Sequence, residues 1–414
     1  MVSRPSSNLP TGIPVENSNQ RRLLELIGRI GGQLGTRTFL VGGPVRDMML
    51  GHASPDLDVA VESSSRRFGR TIAHELGGRF LYHRRFMTGT VTLSDSSHVD
   101  ITQTRTEEYP RPAVLPNVKP ATIDEDLVRR DFTINAMALE LTPRAFGRIT
   151  DPHSGRADLS GHLVRVLHDR SFVDDPTRVF RCIRFAVRLG FEIEPRTLEL
   201  MRQAIVDRYP ALLTPERILY ELRLICAEPL VLQMVEALVR EKVFEATFLL
   251  DDDGQPGHLL PDLARLVQGR ATPDLLFIYL LSTLPVSERF PIRREERDAA
   301  DAVNWFGPTR VRLARARRRS TAYRLLRPIP EPALRILALL EPGAAGARIA
   351  DYLGNLCSVK TEITGRDLRA LGLEPGPRYR QTLDRLLCAR LDGRTRTRED
   401  ELALCRRLLR CVKS

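Results

Sequence analysis

Residues 39–61 read FLVGGPVRDMMLGHASPDLDVAV, and the fold turns on this stretch. A strand at Thr38–Val41 runs into Gly42-Gly43, then into a helical turn, Val45 to Leu50, that stops at Gly51. A second strand follows at Leu57–Val61. Glycines between a strand and a helix let a ligand approach the backbone closely and offer free N–H groups to a triphosphate. Arg46, one turn into the helix, can reach the same phosphates as a bidentate donor. Asp56 and Asp58 stand two apart at the start of the second strand, a spacing that points both carboxylates to one face. Hard oxygens on a rigid edge suit Mg²⁺, which keeps waters that a phosphate can replace. A lone DxD is common on surface loops, so it is the glycine turn in the same unit that gives this one weight.

Working outward, Leu23, Leu24, Ile27 and Ile30 recur at helical spacing and predict a helix over 21–34. Downstream the pattern predicts a helix over 65–76 and strands over 79–84, 89–93 and 98–102, hence a small mixed α/β sheet domain. Its last strand carries Asp100. Phosphoryl transfer with two metals sets the ions ~3.5–4 Å apart, and three carboxylates can bracket them. Asp100 is then placed to activate an incoming 3′-hydroxyl. Arg129-Arg130-Asp131 follow shortly after, as a surface ion pair of little worth or as groups for ribose and phosphate.

Beyond residue 165 the pattern is almost wholly helical, punctuated by Pro and Gly. Lys and Arg number 63 against 52 Asp and Glu, a formal net charge of +11, which favours a polyanionic partner. The run VRLARARRR, 311–319, is read as a solvated helix face or as a phosphate contact. The longest apolar stretch, Leu275 to Leu281, is far short of the ~20 residues that span a bilayer. The N-terminus lacks a secretory h-region. Six scattered Cys form no CxxC pair, so the expected setting is reducing and cytoplasmic. No HxxxH pairing marks a metal phosphohydrolase. His83 reads as a surface residue and Tyr109 as loop packing.

GGPVRD with DLD, RRDFTINA (129–136), DPHSGRADL (151–159) and VDDPTRVFRCIRFAVRLGF (173–191) together resemble the ordered motifs of the class II tRNA nucleotidyltransferases, which include CCA-adding, A-adding and CC-adding enzymes and bacterial poly(A) polymerases. The match runs from about 21 to 230, with a weaker echo at ITGRDLRALGLEPGP (363–377). The resemblance implies an α/β nucleotidyltransferase head with a polymerase-β-like mixed sheet, followed by all-α neck, body and tail. The boundaries expected are a flexible 1–20, head 21–160, neck 161–235, body 236–350 and an RNA-holding tail 351–414. It further implies that Asp56 and Asp58 hold the catalytic Mg²⁺, and Asp100 is expected to complete that site. Gly42, Gly43, Arg46, Arg130 and Asp131 would face the nucleotide. Asp175 and Arg178 would read the base, with Arg181 and Arg184 in support.

Asp175 and Arg178 are three apart and so expected on one helix face. A carboxylate accepting from an exocyclic amine, beside a guanidinium donating to a ring nitrogen, suits C and A. G and U would leave polar groups unpaired. Where the family usually has Glu-Asp, this chain has Asp174-Asp175, and Asp174 is expected still to orient Arg178. CC-adding members tend to shorten a flexible loop between the third acid and RRD. Here the linker, Arg105 to Asp126, is full length with four prolines, which favours A addition, alone or within CCA. The expected partners are the tRNA 3′ end, ATP and possibly CTP. The rival readings are a poly(A) polymerase, a catalytically silent RNA-binding protein and a small-molecule nucleotidyltransferase.

Overall fold

All four residues of β1 (Thr38–Val41) are buried, as an interior strand requires. In the computed structural model, which describes residues 18–52, 57–95, 97–250 and 257–410, this strand sits between β2 (Leu57–Val61) and β8 (Ala138–Glu140), antiparallel to both. The remaining strands of the head are β3 (Arg79–His83), β4 (Thr88–Thr92), β5 (His98–Gln103), β6 (Arg105–Glu108), β7 (Asn117–Pro120) and β9 (Ile149–Thr150). Seven of these nine strands form one sheet in the order β3-β4-β5-β2-β1-β8-β9. Only β2 and β5 run parallel, and their register sets Asp58 directly against Asp100. The helices expected at 21–34, 45–50 and 65–76 are α1 (Ser18–Gln33), α2 (Gly43–Met49) and α3 (Ser65–Glu75).

Packing follows from small residues and caps. Gly69 of α3 lies against Phe80 of β3 so closely that a Cβ would come within 2.2 Å of the ring. Ser64 caps α3 by accepting from the Arg67 amide, replacing a backbone partner the first turn lacks. A full capping box, Thr122 with Glu125, starts α4 (Ile123–Val128). Ile123 and Leu127 of that helix pack on Phe39, Val41, Ala60 and Ala138. The 53–56 stretch, with Asp56, lies outside the described residues, as does the N-terminal stretch 1–17.

The proline-bearing linker is a β-hairpin, β6 against β7, and not a loose loop. Its prolines occupy the turn (Pro110, Pro112, Pro116) and the end of β7 (Pro120), where a missing N–H breaks no ladder. The helices that follow are α5 (Gly155–Ser160), α6 (Ser171–Asp174), α7 (Thr177–Leu189), α8 (Pro195–Val206) and α9 (Pro215–Cys226).

The chain divides into two compact units, residues 1–221 with 228–253, and residues 222–227 with 254–414. The described residues 257–410 of the second are helices and turns. One core there gathers Leu313, Leu326, Leu334, Ile349 and Leu356, and another gathers Ile363, Leu368, Leu386 and Cys405. Among the described residues no helix is long and apolar enough to cross a membrane.

Candidate active site

Two carboxylates meet at the β2–β5 edge. Asp58 is half-buried and Asp100 exposed, and residues in register on neighbouring strands present side chains to the same face. Thr90 of β4, also in register with Asp100, donates its hydroxyl to Asp100 Oδ1 at 2.6 Å. Gly42 closes the site from the β1–α2 turn. Its φ of 74° and ψ of −135° suit glycine alone. A Cβ there would sit 3.0 Å from Arg130 Nη1 and 3.9 Å from Asp58 Oδ2, so turn, carboxylate and guanidinium share one small space. Arg130 is held from behind by Asp126 at 3.0 Å, an acid with no solvent exposure that also binds Arg129 and the Arg105 amide. Burial would raise the Asp126 carboxyl, but Arg129 and Arg130 bring it below the usual carboxylate range.

These donors fit a divalent cation by chemistry: they are hard carboxylate oxygens, and Asp100 is braced by a hydroxyl. Among the described residues no group of three candidate ligands is assembled, and Asp56, the expected third acid, lies outside them.

Arg46 is placed otherwise than its expected phosphate role. Its side chain is only 3% exposed, and it donates from Nε and Nη2 to Asp47 Oδ1 at 2.8 and 2.7 Å and from Nη1 to Asn135 Oδ1 at 2.7 Å. Asn135 in turn donates to Asp131 Oδ1 at 3.1 Å, and Arg181 of α7 grips Asp131 Oδ2 at 2.9 and 2.6 Å. One continuous chain, Asp47–Arg46–Asn135–Asp131–Arg181, therefore ties the glycine turn to the helix that carries the fourth motif. Phe185 lies beneath it, 5.1 Å from Arg46 and 5.3 Å from both Arg181 and Arg184. Burial pushes the Asp131 carboxyl up, yet Arg181, the Asn135 amide and Arg178 prevail and hold it at about 2.

The fourth motif departs from the one-helix expectation. Asp175 is extended, with φ of −134° and ψ of 91°, because Pro176 follows and disfavours a helical residue before it. It separates α6 from α7, so Asp175 and Arg178 do not share a helix face. Asp175 Oδ1 accepts from the Thr177 amide and hydroxyl and pairs with Arg217 of α9. Arg178, buried, donates to Ser171 Oγ at 2.6 Å and to the Arg129 carbonyl at 2.7 Å. Asp174 does not orient it: that carboxylate takes Arg170 at 3.0 Å. Ser171 and a backbone carbonyl do the work expected of the acid. Arg184 is buried between Glu221 and Glu228, each 3.6 Å away; burial raises the Glu221 carboxyl.

Sequence reading missed Asn135, Phe185, Arg217 and Glu221. Arg217 and Glu221 sit four apart on α9, a one-face spacing that was legible. Their partners lie 42 and 37 positions away, which no spacing indicates. Arg217 also donates to the Ala113 carbonyl at 2.8 Å, and the Ala113 amide donates to Asp174 O at 3.3 Å. The hairpin turn is thereby fastened to the fourth motif. Tyr109 gives its hydroxyl to Glu107 at 3.0 Å, in keeping with loop packing. Cys182 is fully buried, and burial raises its thiol well above the ordinary range, so it offers no nucleophile.

An acidic sheet edge beside a glycine turn, braced from an arginine-rich helix, defines a nucleotidyltransferase head. Residues 38–165 match the Poly A polymerase head domain. The chain is 33% identical to the A-adding tRNA nucleotidyltransferase of Halalkalibacterium halodurans over 93% of its own length and 92% of that protein. It is 35% identical to the A-adding enzyme of Geobacter sulfurreducens, again over 93% of this chain, but spans only 47% of that protein. The CC-adding tRNA nucleotidyltransferase of Deinococcus radiodurans is 31% identical over 90% of both chains. The CCA-adding enzyme of Thermotoga maritima complexed with tRNA superposes with a TM-score of 0.75 at 28% identity, over 95% of this chain and 96% of that one. The chain belongs to the tRNA nucleotidyltransferase family.

Proposed function

We propose that this protein adds AMP from ATP to the 3′ end of a tRNA that already ends in CC, releasing pyrophosphate. The single observation that carries the reading is the in-register pair Asp58 and Asp100, set beside Gly42 and Arg130. Asp56, Asp58 and Asp100 would hold Mg²⁺, which when bound neutralises charge on the reacting phosphate. Asp100 accepts the proton of the attacking 3′-hydroxyl. The Gly43 amide, at the start of α2, and the Arg130 guanidinium hold the phosphates for in-line displacement, while the Gly42 amide is held by the Met137 carbonyl. Arg46 acts as a positioning residue for that turn through Asn135.

All three bonds to Asp175 fall on Oδ1, which presents Oδ2 to an exocyclic amine. The fixed Arg178 supplies the neighbouring donor. That edge suits A and C and rejects G and U. Preference for A rests on the A-adding names of the two relatives above and on the full-length hairpin fastened to the base-reading segment.

The test supplies labelled ATP or CTP singly to tRNA ending at the discriminator base, at C and at CC. One A added only to the CC-ended acceptor is the expected result. C addition to the shorter acceptors, then A, replaces the reading with complete CCA addition. Long A tracts on arbitrary RNA replace it with a poly(A) polymerase.

A further inference from the structure

The arginines of the 311–319 run do not behave alike. Arg319 at its end and the arginines just outside it have acidic partners: Arg310 with Glu341 at 3.9 Å, Arg319 with Asp351 at 2.5 Å and Arg324 with Asp384 at 3.1 Å. Between them, Arg312, Arg315, Arg317 and Arg318 are exposed. None of these four has an ion pair among the described residues. All four line one groove of about 560 Å³, with Thr321 and Leu325 at its side. Four like charges gathered in one groove without a partner favour an anion there, the more so at low salt, where their mutual repulsion is least screened.

A second feature stands at the other end of the same short helix, Gly307–Ala314. Trp305, the sole tryptophan of the chain, precedes it and is 76% exposed, while its neighbour Phe306 is buried in the core. An indole left in water is a platform on which a base stacks. The eight-residue helix between Trp305 and Arg315 is about 12 Å long, a span of a few nucleotides of single-stranded RNA.

We propose that Trp305 and the Arg312, Arg315, Arg317 and Arg318 groove form a binding site for an unpaired stretch of RNA. One base stacks on the indole and the following phosphates enter the groove. Unpaired RNA is favoured over duplex because the indole needs a base face that a helix keeps stacked. The site rests on the reading that this family member handles RNA, but not on which nucleotide the head adds.

The single tryptophan makes its own reporter. The full chain is titrated with a uridine octamer RNA, with tryptophan fluorescence and the anisotropy of end-labelled RNA read in parallel. Expected are saturable quenching at the same midpoint as the anisotropy, and a salt slope with ~0.7 per phosphate contact. Gln at all four arginine positions should flatten that slope by about 2–3. Trp305→Ala should weaken binding roughly tenfold by anisotropy, and both variants should keep the wild-type circular dichroism. Asp100→Asn should quench like wild type, which keeps this test separate from that of the head. The proposal fails if RNA binds without quenching, or if the arginine variant keeps its slope. It also fails if a blunt duplex RNA or inorganic polyphosphate quenches as strongly as the octamer.

Discussion

Asp131 shows what a single residue can and cannot reveal in sequence. Its place after two arginines suggested nucleotide contact, whereas its carboxylate is bound to Arg181, 50 positions on, at 2.6 Å. No local pattern encodes that pairing, since it depends on where α7 docks. The consequence for pH has a definite sign. The folded carboxyl lies at about 2 against an ordinary 3.8, so Asp131 stabilises the fold fully above about pH 4. The contribution, of order 2 kcal/mol, fades as pH falls from 4 toward 2. Asp131→Asn should lower stability at pH 7 by about 2 kcal/mol, because it leaves the half-buried Arg181 charge without its partner. Urea midpoints of the two proteins should converge as pH falls; a gap that stays constant down to pH 2.5 refutes the pairing. Gly42 was legible, because a glycine between strand and helix announces a special φ. Gly42→Ala meets both that φ and Arg130 Nη1 at 3.0 Å. It should cost about 1–3 kcal/mol of strain and reduce kcat/KM for ATP more than tenfold. Retention of kcat/KM would place the phosphates elsewhere.

Elements were legible where apolar periodicity was strong, and register was not. The strands at Thr38–Val41 and Leu57–Val61 stand where the pattern puts them. That β5 would pair parallel to β2 and bring Asp100 opposite Asp58 is a property of topology, 42 residues of chain having intervened. The two misreadings share a physical cause, which is proline. Pro176 breaks the supposed single helix at Asp175, and the linker read as a loop is a hairpin that holds three of its four prolines in the turn. Arg217 then becomes the telling side chain, for it binds both Asp175 and the hairpin carbonyl of Ala113. Arg217→Gln should lower discrimination of A against G about tenfold and raise KM for ATP, with little change in melting. Arg217→Lys should recover only part, since an ammonium cannot span both acceptors. Competition between labelled ATP and GTP reads this directly, and unchanged selectivity in Arg217→Gln would show that Asp175 needs no such anchor.

At the scale of the whole molecule, net charge was legible and its distribution was not. The +11 excess is spread over arginines that answer to acids, such as Arg202 with Glu241 and Arg390 with Glu401, and arginines that do not. The excess therefore acts through local groups left unpaired, and the two compact units carry different ones. The nucleotide site belongs to the first and the Trp305 groove to the second, each unit with its own apolar core. A ligand stabilises what it binds by RT ln(1 + [L]/Kd), about 2.7 kcal/mol at a hundredfold excess over Kd. In units of roughly 150–250 residues that shifts a transition by about 5–10 °C. Calorimetry should resolve two transitions, with ATP and Mg²⁺ raising one and the uridine octamer the other. Asp58→Asn should abolish the first shift alone. One transition raised equally by both ligands would mean that the units unfold together, and the assignment of a separate ligand to each would lose its thermodynamic support.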